Sequence, residues 1–269
     1  MVTVGNWPVG VCTWSLQLEI EEVVQALDDL GVRHVHLAVG PAVETGGDEY
    51  LDVVRQQDWI ITSTMIDFPQ EDYSTLESIK RTGGIVPDQH WKSNRQRFFD
   101  AVDVTAGLDV EYLSMHAGFL ESTEPAYAKK VKERIQELAD AAADQGITLL
   151  LETGQETAEE MREFLDDLDH PALGVNFDPA NMILYGKGNP IDAVHTVGSC
   201  IQHVHIKDAA YTVKPGTWGT EVPWGYGEVN SDSFLTALEE IGYDGALAIE
   251  REAGDDRLGD IREAIKSLT

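Results

Sequence analysis

Eight short β-branched or apolar runs alternate with longer amphipathic stretches along the whole 269-residue chain, and this alternation limits the fold more than anything else in the sequence. The expected strands are 8–13, 33–39, 59–66, 110–116, 147–152, 173–177, 200–206 and 246–250. Helical periodicity is clearest at 19–30, 94–106, 125–145, 158–168, 190–197, 231–241 and 258–268. Several of these stretches carry their own stop signals: Asp28-Asp29-Leu30-Gly31 and Ala143-Asp144-Gln145-Gly146 each put a glycine between a helix and the next strand. Ser231-Asp232-Ser233 opens the helix at 231 with capping residues, and Ile241-Gly242 closes it. Eight βα units in a chain of this length predict a single closed (β/α)8 barrel over residues 1–269. The alternative is an open doubly wound sheet. It calls for a Gly-rich phosphate loop after the first strand, and Cys12-Thr13-Trp14-Ser15-Leu16-Gln17 contains no glycine.

No repeat, low-complexity tract or Pro/Ser-rich linker divides the chain. Two connections, 67–92 and 208–230, read as long loops. In a barrel the loops after the strands build the active-site face, so these two are the expected lids and specificity walls. In the second, Lys214, Trp218 and Glu221 are specificity candidates. Apolar residues make up 42 % of the chain, enough for a sizeable core, yet no run approaches the roughly 18 apolar residues of a membrane span. The first residues show no basic segment followed by an apolar run, and Cys12 and Cys200 do not look like a disulfide framework. A reduced, cytoplasmic protein is the expectation. Nineteen Lys plus Arg against 48 Asp plus Glu give a formal charge of −29. Such a surface repels nucleic acid and anionic membrane, because phosphate binding depends on cations that displace counterions.

With acids so abundant, a functional group of them has to be recognised by position. The second half of the chain repeats one arrangement four times, an apolar strand that finishes on a metal-ligand type of residue. Leu149-Leu150-Leu151 ends on Glu152, and Gly174-Val175-Asn176-Phe177 ends on Asp178. Ile201-Gln202-His203-Val204 leads to His205, and Leu247-Ala248-Ile249 leads to Glu250. Side chains two apart on a strand share a face, so Leu150 and Glu152 point one way, as do Ala248 and Glu250. Uncharged residues beneath each acid suit a barrel interior, and the acids would converge at its top. A carboxylate at a strand end often only caps the next helix, and Asp178-Pro179 fits that role by itself. Donors on four consecutive strands point further. Three converging carboxylates repel one another unless a cation neutralises them. Three oxygen donors and one imidazole suit one divalent ion, Mn²⁺ first, with Mg²⁺, Co²⁺ or Zn²⁺ as alternatives. His203 shares the parity of His205 one layer deeper and reads as packed behind the site. Lys207 lies one step outward, and Asp208 reads as a loop-starting acid. His116, Trp14 and His36 end the fourth, first and second strands and are candidates to line the pocket.

These residues resemble the xylose isomerase-like barrel superfamily, in particular its sugar phosphate isomerase/epimerase branch, which includes ketose 3-epimerases and inosose dehydratases. The matching stretches are Met115-His116-Ala117-Gly118, Leu150-Leu151-Glu152, Asn176-Phe177-Asp178-Pro179-Ala180-Asn181, His203-Val204-His205-Ile206-Lys207-Asp208, residues 223–229 and Ile249-Glu250. They cover the chain from about the fourth strand onward. The resemblance implies that Glu152, Asp178, His205 and Glu250 hold the metal and that Glu152 and Glu250 are also the acid/base pair. It implies substrate contacts at His116 and Lys207, a carbohydrate as the small-molecule partner, and a homo-oligomer as an open possibility. Asn181 departs from the pattern, because the family usually carries a histidine three residues after the strand-six aspartate. An amide can still hydrogen-bond a substrate hydroxyl but cannot carry a proton. That replacement and the −29 charge argue against the DNA-repair endonuclease activity of other superfamily members. The implied reaction is proton abstraction beside the carbonyl of a ketose or ketose phosphate, with return of the proton to the same or a neighbouring centre. A dehydratase of a keto-sugar or inosose would use the same residues, and a non-catalytic sugar-binding barrel is the alternative of a different class.

Overall fold

In the computed structural model, which describes residues 2–120, 124–214 and 216–269, eight parallel strands close into a barrel. They are β1 (Trp7–Cys12), β2 (His34–Ala38), β3 (Ile60–Ile66), β4 (Tyr112–Met115), β5 (Thr148–Glu152), β6 (Leu173–Phe177), β7 (Ile201–Ile206) and β8 (Leu247–Ile249). Each pairs with the next, and β8 returns to β1 through Leu247–Val9, Ala248–Gly10 and Ile249–Val11, so no edge is left open. All eight lie within the expected runs to within two residues at each end. Outward residues of the strands, Val9 and Val11, Leu149 and Leu151, and Val175 and Phe177 among them, are apolar and fully buried. They form one continuous core with the surrounding helices.

The helices obey the local rules read from the sequence. Helix α1 (Ile20–Leu30) begins with a reciprocal capping box between Glu19 and Glu22 and ends at Gly31, whose φ of 69° only glycine adopts at little cost. A second capping box, Thr157 with Glu160, opens the helix at Ala158–Leu168. For Ser231–Glu240 the capping side chain is Asn230, one residue before the expected start. Gly47–Arg55 forms a helix that was not anticipated, because two turns with only Leu51 and Val54 buried at useful spacing give too little periodicity. The segment 67–92 is likewise less of a loop than expected. It contains the helix Leu76–Thr82, capped by the Thr75 side chain, and the long helix Asp88–Gly107 starts six residues early, through a polar stretch that carries no apolar signal. Within 208–230, Asp208–Ala210 and Thr220–Val222 pair as an antiparallel hairpin. None of the described helices is long and apolar enough to cross a membrane.

Two register shifts set the barrel interior beneath the site. Pairing slips by one residue between Val35 and His36 against β3, and again between Val175 and Asn176 against β7. Around them the interior is polar but uncharged in character: the Ser63 and Ser114 hydroxyls bond at 3.0 Å, and the rings of His36 and His203 meet edge to face at 4.5 Å.

Candidate metal and catalytic centre

Glu152 is the last residue of β5, and its carboxylate is 4 % exposed at the barrel mouth. Asp178 follows β6 directly and caps the short helix Pro179–Leu184, with Oδ1 accepting the Asn181 N–H at 3.0 Å. Thr153 fixes this corner: its hydroxyl donates to the Asp178 carbonyl at 3.0 Å and accepts the Asp178 N–H at 2.8 Å. The cap reading of Asp178 is therefore correct, but it engages one oxygen only. Glu250 follows β8, and its N–H is held by the Ile206 carbonyl at 3.0 Å. His205 stands between the three acids, with Nδ1 at 2.9 Å from Glu152, 3.3 Å from Glu250 and 3.6 Å from Asp178.

One ligand atom from each of these four residues lies within 4.8 Å of the other three. Asp178 Oδ2 is buried without a hydrogen-bond partner, 3.6 Å from both His205 Nδ1 and Lys207 Nζ. A buried carboxylate oxygen that lacks a partner is costly, and three buried carboxylates that converge on one imidazole nitrogen fit a cation. The donor set, three carboxylates and an imidazole, suits a hard or borderline divalent ion. On this test the residues fit one metal ion.

Further residues hold the donors in place. Nε2 of His205 lies 2.9 Å from His36 Nδ1 and 3.2 Å from the Asn176 amide, which reaches His203 Nδ1 at 3.0 Å; His203 Nε2 in turn meets the Thr62 hydroxyl at 3.0 Å. With Nε2 turned toward His36 and Asn176, His205 directs Nδ1 at the carboxylates. Burial, then the neighbouring His203 and His205, hold His36 well below the usual imidazole range, so it stays neutral. Glu250 has both oxygens engaged, Oε1 by the Trp14 indole N–H at 2.7 Å and Oε2 by Lys207 Nζ at 2.8 Å. Burial opposes a charged Lys207, but Glu250 and Glu252 outweigh it and keep the ammonium charged. On the other side, His116 Nε2 sits 2.8 Å from Glu152 Oε2. Burial works against protonating His116, yet Glu152 more than offsets this and pushes it up to about 9. Burial would raise Glu152; His116 and His205 outweigh it and hold the carboxyl well below its ordinary range.

Above the donors opens a cavity of about 650 Å³, of a size that suits a small ligand. Trp14, His116 and Asn181 line it, as do Trp218 and Glu221 from the hairpin. The Asn181 amide lies 3.4 Å from Glu152 Oε1. Three sequence candidates sit elsewhere. His36 is fully buried behind His205, so it supports the cluster from below instead of lining the cavity, and Lys207, 2 % exposed, stands behind the carboxylates it pairs with. Lys214 lies on the exposed turn of the hairpin, away from the cavity lining. Asp208 is more than a loop-starting acid: it is 1 % exposed and accepts the N–H groups of Ala209, Gly225, Gly227 and Val229, which folds residues 223–229 around it. Sequence reasoning missed Glu71, Tyr73, Tyr185 and Glu252 on the cavity wall, since each comes from a loop or a helix end without a periodic signal.

The Xylose isomerase-like TIM barrel family model matches residues 14–269. A xylose isomerase domain protein from Planctomyces limnophilus is 32 % identical, with a TM-score of 0.89 covering 97 % of this chain and 96 % of that one. An uncharacterised protein of Methanocaldococcus jannaschii is 29 % identical over 62 % of this chain and 57 % of its own length. A ketose 3-epimerase of Arthrobacter globiformis is 27 % identical over 59 % of this chain and 55 % of its own. The matches thus span a little over half the length of these two curated relatives. A closed eightfold barrel and a family match over nearly its whole length lead to one conclusion: the chain belongs to the xylose isomerase-like TIM barrel family.

Proposed function

We propose that this protein is a metal-dependent epimerase or isomerase of ketoses, with Glu152 and Glu250 as the acid/base pair. The observation that carries this reading is the convergence of Glu152, Asp178, His205 and Glu250 within 4.8 Å, with Asp178 Oδ2 buried and without a hydrogen-bond partner. These four residues would hold the ion, with Mn²⁺ the first expectation. A bound divalent ion supplies charge stabilisation for oxygens that become anionic during the reaction. The remaining chemistry belongs to the side chains. A ketose carries a C–H beside its carbonyl; one glutamate removes that proton, the C–H electron pair forms a C=C bond, and the carbonyl π pair moves onto its oxygen to give an enediolate. Glu152 and Glu250 stand on β5 and β8, three strands apart, so they face the reacting carbon from different sides. Return of a proton by the second glutamate inverts the centre.

His116 orients Glu152 and carries a proton at neutral pH, Trp14 and Lys207 fix both oxygens of Glu250, and Asn181 offers its amide to a substrate hydroxyl. His116 also favours a second reading. A protonated group beside the base can give its proton to a departing hydroxyl, which turns the same proton abstraction into loss of water. The test is incubation of the metal-loaded protein with ketoses and inososes in deuterated solvent. Deuterium gained beside the carbonyl supports the epimerase or isomerase reading, and loss of water by mass supports the dehydratase. Full activity of Glu152→Gln or Glu250→Gln in either assay would defeat the assigned roles.

A further inference from the structure

The cavity wall carries more negative charge than proton transfer requires. Asp67 and Glu71 come from the connection after β3, Glu221 from the hairpin after β7 and Glu252 from the loop after β8, and all four line the cavity. No lysine or arginine is among the described lining residues. The cations behind the wall are already engaged. Arg97 holds Asp67 at 3.0 Å and Glu44 at 3.2 Å, Arg251 holds Glu221 and Asp260, and Lys207 holds Glu250 and Glu252. Glu71 takes its hydrogen bonds from the Gly84 and Phe68 N–H groups, at 2.8 and 3.3 Å.

Four rim carboxylates and three at the axis therefore face four cations: Arg97, Arg251, Lys207, and Arg257, which is held on the Ser15 and Glu252 carbonyls. The carboxylates outnumber these cations by seven to four. A phosphate or carboxylate brought here would lose its hydration and find no lysine or arginine among the described lining residues to replace it. The rest of the wall suits a neutral polyol. Trp218 packs edge-on against Tyr185 at 4.7 Å, Tyr185 meets Phe119 at 6.1 Å, and the Trp218 indole N–H is buried without an acceptor. Rings of this kind cover C–H faces, and the orphaned N–H needs an oxygen.

We infer that the acidic rim restricts the site to electrically neutral ketoses, rejecting phosphorylated and carboxylated ones, and that Trp218 donates its indole N–H to a substrate hydroxyl. This inference rests on the ketose reading above. It is tested with the metal-loaded protein and a panel of free 2-ketopentoses and 2-ketohexoses, each beside its terminal phosphate ester, with exchange beside the carbonyl and calorimetric binding both measured. The free sugar should exceed its phosphate ester in kcat/KM by roughly 100-fold at low salt, with the ratio shrinking as salt is added. Asp67→Asn and Glu71→Gln should each narrow the ratio by about threefold or more, chiefly by lowering KM for the ester. Trp218→Phe should raise KM for the free sugar more than it lowers kcat. A phosphate ester that matches or beats its free sugar overturns the inference and leaves the ketose reading standing. Tighter binding of free sugars without exchange upholds the rim and defeats the catalytic reading, and binding of no member of the panel overturns both.

Discussion

The two halves of the barrel treat their strand ends differently. Strands β5 to β8 each finish on a donor, and the donor atoms of Glu152, Asp178, His205 and Glu250 converge. The strand ends of β1, β2 and β4 supply Trp14, His36 and His116, which touch those donors: Trp14 reaches Glu250, His36 reaches His205 and His116 reaches Glu152. One half provides the charge and the other fixes its direction. Convergent carboxylates would otherwise rotate apart to relieve their repulsion, so a preorganised anionic site needs a supporting ring as much as it needs ligands.

Breaking the donor half should have the largest effect. Glu152→Gln and Glu250→Gln should each lower kcat by roughly 10²- to 10⁴-fold with an unchanged circular dichroism spectrum. Asp178→Asn keeps a good helix cap but loses the free carboxylate oxygen, so metal content after dialysis should fall well below one ion per chain while the fold persists. Disturbing the supporting half should cost less. His36→Phe keeps a ring in the packed layer and removes Nδ1, and ion affinity measured by calorimetry should weaken by about 10- to 100-fold. Trp14→Phe removes the N–H on Glu250 Oε1 and should lower kcat by about tenfold, as expected when a charged acceptor loses one hydrogen bond. The smallest effect belongs to the opposite end of the barrel. Gly31→Ala forces a side chain into φ 69° and should lower unfolding stability by about 1 kcal/mol without changing activity.

The donor half was legible in the sequence for a physical reason. Strand side chains alternate with period two, so an apolar run that ends on Glu152 or Glu250 fixes both the face and the height of the acid. The supporting half was less legible. His36 looks like a strand-end pocket residue, but β2 runs on to Ala38, which leaves His36 a layer down, behind His205. Helices Gly47–Arg55 and Leu76–Thr82 are too short or too polar to reveal their period. The rim acids Glu71 and Glu252 could not be distinguished among 48 acidic residues, because their meeting across the cavity depends on loop paths that local sequence does not encode.

The central claim is that a cation gathers the three carboxylates around His205. Calorimetric titration of the metal-stripped protein with Mn²⁺ tests this most directly, alongside Asp178→Asn and Glu250→Gln. One ion per chain, lost or strongly weakened in both variants, is the predicted result; no binding, or binding that both variants leave untouched, would contradict it.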